Sequence, residues 1–387
     1  MVGVVFVVHG LGATSFLARV PERQDALDLT DGELGVVLVG LALGAILVSP
    51  AAAWLIRRMG SGPATVASGI ALGATLPLAA VAPTAATLFG ALTVIGATDA
   101  ACDIGMNANG ASHQAELQRS VMHRLHAAWA LGALAAAALG ALAARANVSL
   151  TVHLTLVGVV LAAAVVAVQG RMAHDHPSLD ADAEAGSDPD ISARTRFRPI
   201  VVLCVAIGVV AIIEGAPTNW AAVHLKDLGT SDATAALGVA AFTAGMVSGR
   251  LVGDPLTDRW GASAVLRLGM TLAAAGFALG AAIAHPAVFM AGMLLAGLGI
   301  SGCFPLMFGA AATAPGLSPG AGIATTSLVA RIGFLVQPVL VGITADHVGL
   351  RPAFAALAAL AAALAVTAAT VMRPGSTARV EQHASQG

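Results

Sequence analysis

A helix rises ~1.5 Å per residue, so about 20 consecutive apolar residues cross the roughly 30 Å hydrocarbon core of a bilayer. The 387-residue chain repeats such a segment along its whole length. The segments lie near 2–19, 34–56, 63–82, 86–110, 123–144, 149–170, 199–222, 235–253, 263–284, 287–312, 320–345 and 351–372, and are called spans 1 to 12. They are rich in Ala, Gly, Leu and Val, and small residues let membrane helices approach closely. The ten-residue alternating strands of a membrane β-barrel are not visible. The expected fold class is therefore an all-α integral membrane protein, with lipid as its main surroundings.

Composition agrees. Hydrophobic residues make up 57% of the chain and charged residues 10%, against roughly 45–50% and about 25% in soluble domains. That excludes a soluble enzyme or a disordered scaffold. A net charge of −2 provides no basic field for nucleic acid. Cys102, Cys204 and Cys303 sit far apart in apolar runs, which fits neither a disulfide framework nor a zinc site. The first apolar run lacks a basic leader and a small-residue cleavage site, so it reads as a mature span.

Basic residues orient the spans. Arg57, Arg58, Arg119, Arg124, Arg171, Arg194, Arg196, Arg198, Arg259, Arg267, Arg373 and Arg379 fall on one side. Only Arg19, Arg23, Arg145, Lys226 and Arg351 fall on the other. The first side is expected to be cytoplasmic, with both termini there, and the membrane to be the bacterial inner membrane. Arg19 is expected to snorkel to headgroups. Residues 171–198, rich in Asp, Ala, Ser, Pro and His, read as a cytoplasmic linker between bundles at 1–170 and 199–387. Within it His174-Asp175-His176 reads as solvated linker rather than as a metal site.

The halves resemble each other. A shift of 201 residues places Gly44 on Gly245, Gly60 on Gly261, Gly96 on Gly297, Cys102 on Cys303 and Gly132 on Gly333. Two six-helix repeats about an axis along the membrane normal follow.

The segment Gly249 to Gly261 carries Gly253, Asp254, Asp258, Arg259 and Gly261 and resembles the G-x-x-x-D-R-x-G cytoplasmic loop of the major facilitator superfamily. The resemblance covers nearly the whole chain. It implies the superfamily fold and a gating role for this loop, held by charge and helix-dipole contacts. The first-half counterpart keeps Arg57, Arg58 and Gly60 but has Ala53 where Asp254 stands. Finer features resemble fucose-permease-like sugar:proton symporters. Span 4 holds Asp103 and, four residues on, Asn107. Arg124-Leu125-His126 with Trp129 and Gly132 resembles the run that opens span 5 in those permeases. Glu214 with Asn219-Trp220 resembles span 7 of uncharacterised bacterial relatives. Span 1 departs from the pattern, with Leu17 where that family has an acid.

The embedded polar residues stand on their own. An ionised side chain at the centre of a span costs about 2.5–3.5 kcal/mol on insertion scales, so it faces water or a partner. Asp99, Asp103 and Asn107 are spaced by four and form one stripe. A carboxylate that titrates near neutral pH can carry a proton through a transport cycle. Asp103 is the expected carrier, assisted by Asp99 and Glu214. Asn107, His126, Trp129, Asn219, Trp220, Arg331 and Gln337 are candidates for substrate binding. Trp220 suits either stacking on a sugar ring or an interfacial anchor. Arg331 suits an anionic substrate or, preferably, a salt bridge to Asp99, Asp103 or Glu214. His9 reads as a packing residue. The offset sets Phe304 opposite Asp103 and Phe308 opposite Asn107, so a polar N-terminal wall and an aromatic C-terminal wall are expected.

The resulting reading is a monomeric secondary transporter for a small polar solute such as a sugar, driven by the proton gradient, with no other cofactor and no metal. No Walker loop or catalytic triad stands in a credible context, so it is not an enzyme. A drug or metabolite exporter is the alternative, although span 5 lacks the proline of the drug:proton antiporters. A membrane sensor or scaffold on a transporter fold is the reading from a different class.

Overall fold

The computed structural model describes residues 2–117, 121–172, 193–312 and 319–372, except for the side chains at 115, 123, 193–199, 254, 312, 319–321 and 323–324. The His174-Asp175-His176 segment and the Asp254 side chain therefore lie outside the described residues. Twelve helices there are long and apolar enough to cross a membrane. They are Val2–Leu27, Asp31–Met59, Ser61–Val81, Ala85–Gln114, Arg124–Arg145, Leu150–Arg171, Ile200–Asp227, Asp232–Gly253, Ala262–Ala282, Pro286–Ala311, Thr325–Val348 and Leu350–Val371.

Polar caps set several ends. Span 2 starts at Asp31 because the Thr30 hydroxyl accepts from the Glu33 amide while the Glu33 carboxylate accepts from the Thr30 amide. Span 8 starts at Asp232 under a Ser231 cap, 201 positions further on. Gly60 and Gly261 end spans 2 and 8 with φ of 90° and 78°, a region that L side chains rarely adopt. This gives a physical reason for the last glycine of the loop pattern.

Packing follows the same repeat. Span 2 crosses span 4 and span 8 crosses span 10; span 1 packs on span 5 and span 7 on span 11; span 3 packs on span 6 and span 9 on span 12. At the first crossing, a Cβ on Gly96 would meet the Leu41 carbonyl and one on Gly44 the Thr93 carbonyl. At the second, Gly297 meets the Phe242 carbonyl and Gly245 that of Leu294, each 201 positions along. Bare glycine lets the paired backbones touch.

The halves meet chiefly where span 2 packs on span 11 and span 5 on span 8. On the face that carries the 1–2, 7–8 and 11–12 connections, Thr30 Oγ1 donates to Asp346 Oδ2 at 3.2 Å. There too, Lys226 Nζ stands 3.5 Å from Asp25 and 2.6 Å from Asp232. The Thr30–Asp346 and Lys226–Asp25 contacts join the two halves on that face. Arg19 does not snorkel: it is 3% exposed and bonds Glu22 and the Val148 carbonyl.

Candidate functional site

Between the halves lies a cavity of about 340 Å³, within the size range of small-molecule sites. Spans 1, 2, 4 and 5 contribute Thr14, Leu17, Leu38, Asp99 and Trp129; spans 7, 8 and 11 contribute Glu214, Thr218, Asn219, Thr243, Arg250 and Phe334. Both walls are thus polar in part. Phe304 and Phe308, expected as the C-terminal wall of this cavity, instead line a second chamber. The helix of span 10 ends at Ile300 and resumes at Cys303, just before them. The corresponding stretch of span 4 runs unbroken.

That second chamber, about 320 Å³, is lined by Met122, His126, Arg250, Gly253, Thr257, Phe304 and Phe308 among others. It lies at the ends of spans 5 and 8 that adjoin the 4–5 and 8–9 connections. The Phe304 ring stacks on Phe308 at 5.6 Å and on Phe334 at 5.8 Å between centroids. Phe304 and Phe334 thus stand between the chambers, while Arg250 lines both.

Asp99 has a defined set of partners. Trp129 Nε1 donates to His9 Nδ1 at 3.1 Å. His9 Nε2 lies 3.1 Å from the Asp99 carbonyl oxygen and 3.3 Å from Asp99 Oδ1. An indole N–H only donates, so His9 Nδ1 must accept and the ring proton sits on Nε2, facing Asp99. His9 is 5% exposed and Asp99 30%. The histidine read as packing therefore orients the acid. Gly12, where span 1 departs from helical geometry, leaves space beside Asp99: an added Cβ would stand 3.6 Å from its Oδ1. Replacing Trp129 with Phe removes the donor to Nδ1. Nitrogen chemical shifts of His9 are expected to show one Nε2-protonated tautomer in the native protein and a mixture in Trp129→Phe.

Asp103 sits one turn away, its side-chain and backbone oxygens accepting from Asn107 Nδ2 at 3.0 and 2.9 Å. Neither Asp103 nor Asn107 is among the residues that line the two chambers. Asn219 lines the central cavity and donates to Gln337 Oε1 at 2.8 Å; Gln337 is fully buried, with its Nε2 unbonded. Trp220 is fully buried against Gly342, so it is neither an interfacial anchor nor part of the cavity wall. His126 lines the second chamber, its ring 5.6 Å from that of Phe6.

Arg331 bonds Ser49 Oγ across the halves at 3.4 Å and pairs with none of the three embedded acids. Of the loop residues, Asp258, Arg259, Arg57 and Arg58 are exposed, and the Arg58 guanidinium lies 5.7 Å over the Trp54 ring. The sequence reading missed Arg250. The signal existed: of the chain's 19 basic residues only Arg250 and Arg331 are assigned to neither face of the membrane, and the loop pattern absorbed the first of them.

Comparisons with known proteins agree with this architecture. Residues 203–386 match the family model of the Major Facilitator Superfamily. The chain is 27% identical over 370 residues to an uncharacterized MFS-type transporter of Yersinia pestis, covering 95% of this chain and 94% of that one. It is likewise 27% identical to the membrane protein MosC of Rhizobium meliloti, covering 89% and 83%. Among solved structures, a variant of the nucleoside transporter NupG superposes with a TM-score of 0.77 at 11% identity, covering 96% of this chain and 99% of that one. An inward-facing, occupied bacterial homologue of the lysosomal transporter Spinster gives 0.72 at 13%, covering 96% of both. The fold is that of a multi-pass membrane transporter. It is the fold of the major facilitator superfamily, whose family model matches the second half of the chain.

Proposed function

We propose that the protein carries a small polar solute across the bacterial inner membrane by alternating access, coupled to protons. Both termini are cytoplasmic in this reading. Bundles 1–170 and 199–387 rock about the midplane, joined by the 171–198 linker, and the molecule works as a monomer. The observation that carries it is the cavity between the halves, with Asp99 oriented from one wall and Glu214 from the other. Asp99 replaces Asp103 as the proton carrier, because it lines the cavity and Asp103 does not. Glu214 assists, and Asn219 and Trp129 are the substrate contacts. The loop from Gly253 through Asp254, Asp258 and Arg259 to Gly261, with Arg57 and Arg58, gates the cytoplasmic side. A sugar is the solute class suggested by the resemblance in spans 4 and 5.

Purified protein screened by thermal shift against sugars, nucleosides, amino acids and organic acids is expected to be stabilised by its solute. That solute, loaded inside proteoliposomes, is expected to drive uptake of its labelled form by exchange. Stabilisation without exchange would contradict transport.

A further inference from the structure

We propose that the central cavity is built for a small monocarboxylate, whose carboxylate the Arg250 guanidinium holds. This narrows the transporter reading above and rests on it.

Arg250 is half-buried, lines the central cavity, and has Nη1 enclosed without a hydrogen-bond partner. No ion pair joins it to any described acid. Three other polar groups of the cavity have partners: Asp99 has His9, Asn219 has Gln337, and Thr243 bonds the Val239 carbonyl. A buried cationic donor left unmet is costly. A neutral solute offers it lone-pair acceptors only, whereas a carboxylate matches the guanidinium's planar fork with two charge-assisted bonds.

The acids in the cavity decide which anion. Asp99 and Glu214 share the space with one guanidinium. Repulsion from two carboxylates disfavours a phosphate dianion more than a monoanion. The remaining wall of Leu17, Leu38, Leu41 and Phe334 suits the apolar part of an organic body. Arg250 also lines the second chamber, where the other titratable lining group is His126 and no described acid lines the wall. An anion moving from the cavity into that chamber thus keeps Arg250 as a partner and meets no carboxylate among the described residues of the chamber wall.

The test uses full-length protein and matched probes: galacturonate, galactose and galactose 1-phosphate, with lactate and benzoate beside their neutral amides. Carboxylates are expected to stabilise the native protein while the neutral partners and the phosphate ester do not. Arg250→Lys is expected to weaken that binding about tenfold through loss of the fork, and Arg250→Gln to abolish it. Ligand-free melting of both variants checks that they fold. A neutral solute that stabilises native protein and Arg250→Gln equally, and exchanges across proteoliposomes, would overturn the carboxylate assignment while leaving transport intact. A phosphate ester binding more tightly than galacturonate, or no carboxylate giving an Arg250-dependent shift, would overturn it as well. Loss of exchange for every stabilising solute would instead strike the transporter reading.

Discussion

Asp99→Asn is expected to abolish proton-driven accumulation of the solute, leaving simple equilibration, while exchange between the two sides of a proteoliposome continues. Asparagine matches the shape of aspartate and still accepts from His9 Nε2–H, so the Trp129–His9 arrangement survives. What is lost is a group that can take up and release a proton while facing the cavity. Asp103→Asn is expected to leave most accumulation in place, since that carboxyl is tied to Asn107 away from both chambers. Measuring accumulation and exchange separately for both variants distinguishes a proton carrier from a binding residue. Unimpaired accumulation in Asp99→Asn would sink the assignment, and loss of accumulation in Asp103→Asn alone would return the role to Asp103.

The second large effect concerns the frame around the cavity. Gly96→Val and Gly297→Val are each expected to cost about 3 kcal/mol or more, since overpacking here pushes on backbone rather than on a movable side chain. A Cβ on Gly96 would stand 2.7 Å from the Leu41 carbonyl carbon, and one on Gly297 3.0 Å from that of Phe242. The crossings of spans 2 with 4 and 8 with 10 would have to open. Gly90→Val is the control: Gly90 is exposed, with no atom within 4 Å of an added Cβ. Yield and melting in detergent are expected to fall sharply for the first two variants and to hold for the third. Equal behaviour of all three would mean that the close crossings are not what holds the bundles.

These crossings show what was legible in the sequence. The constant 201-residue offset identified Gly44 with Gly245 and Gly96 with Gly297 before any contact was known, and the contacts repeat at the same offset. The spans were legible because lipid imposes length and hydropathy together. Their starts were less so. Spans 2 and 8 begin three residues earlier than the apolar windows, since capped polar turns at Thr30 and Ser231 are helical without being apolar.

The site was legible as a set of embedded polar residues, not as an arrangement. Residues four apart share a helix face, but one turn of rise separates Asp99 in the cavity wall from Asp103 outside it. Periodicity does not report which neighbour covers each turn. The partnership of His9 with Asp99 spans 90 residues, and that of Trp129 with His9 spans 120. Local spacing carries no trace of either. The offset pairs Phe304 with Asp103 and Phe308 with Asn107, and none of the four lines the central cavity, because an offset reports which residues correspond and not what each turn faces.

The central claim is proton-coupled transport through the cavity between the halves. Its most direct test is uptake of the stabilising solute by proteoliposomes with and without an imposed pH gradient, alkaline inside. The gradient is expected to raise the internal concentration above the external one, and a protonophore to return it to equality. Equilibration at the same level with the gradient, without it, and with the protonophore would contradict the coupling.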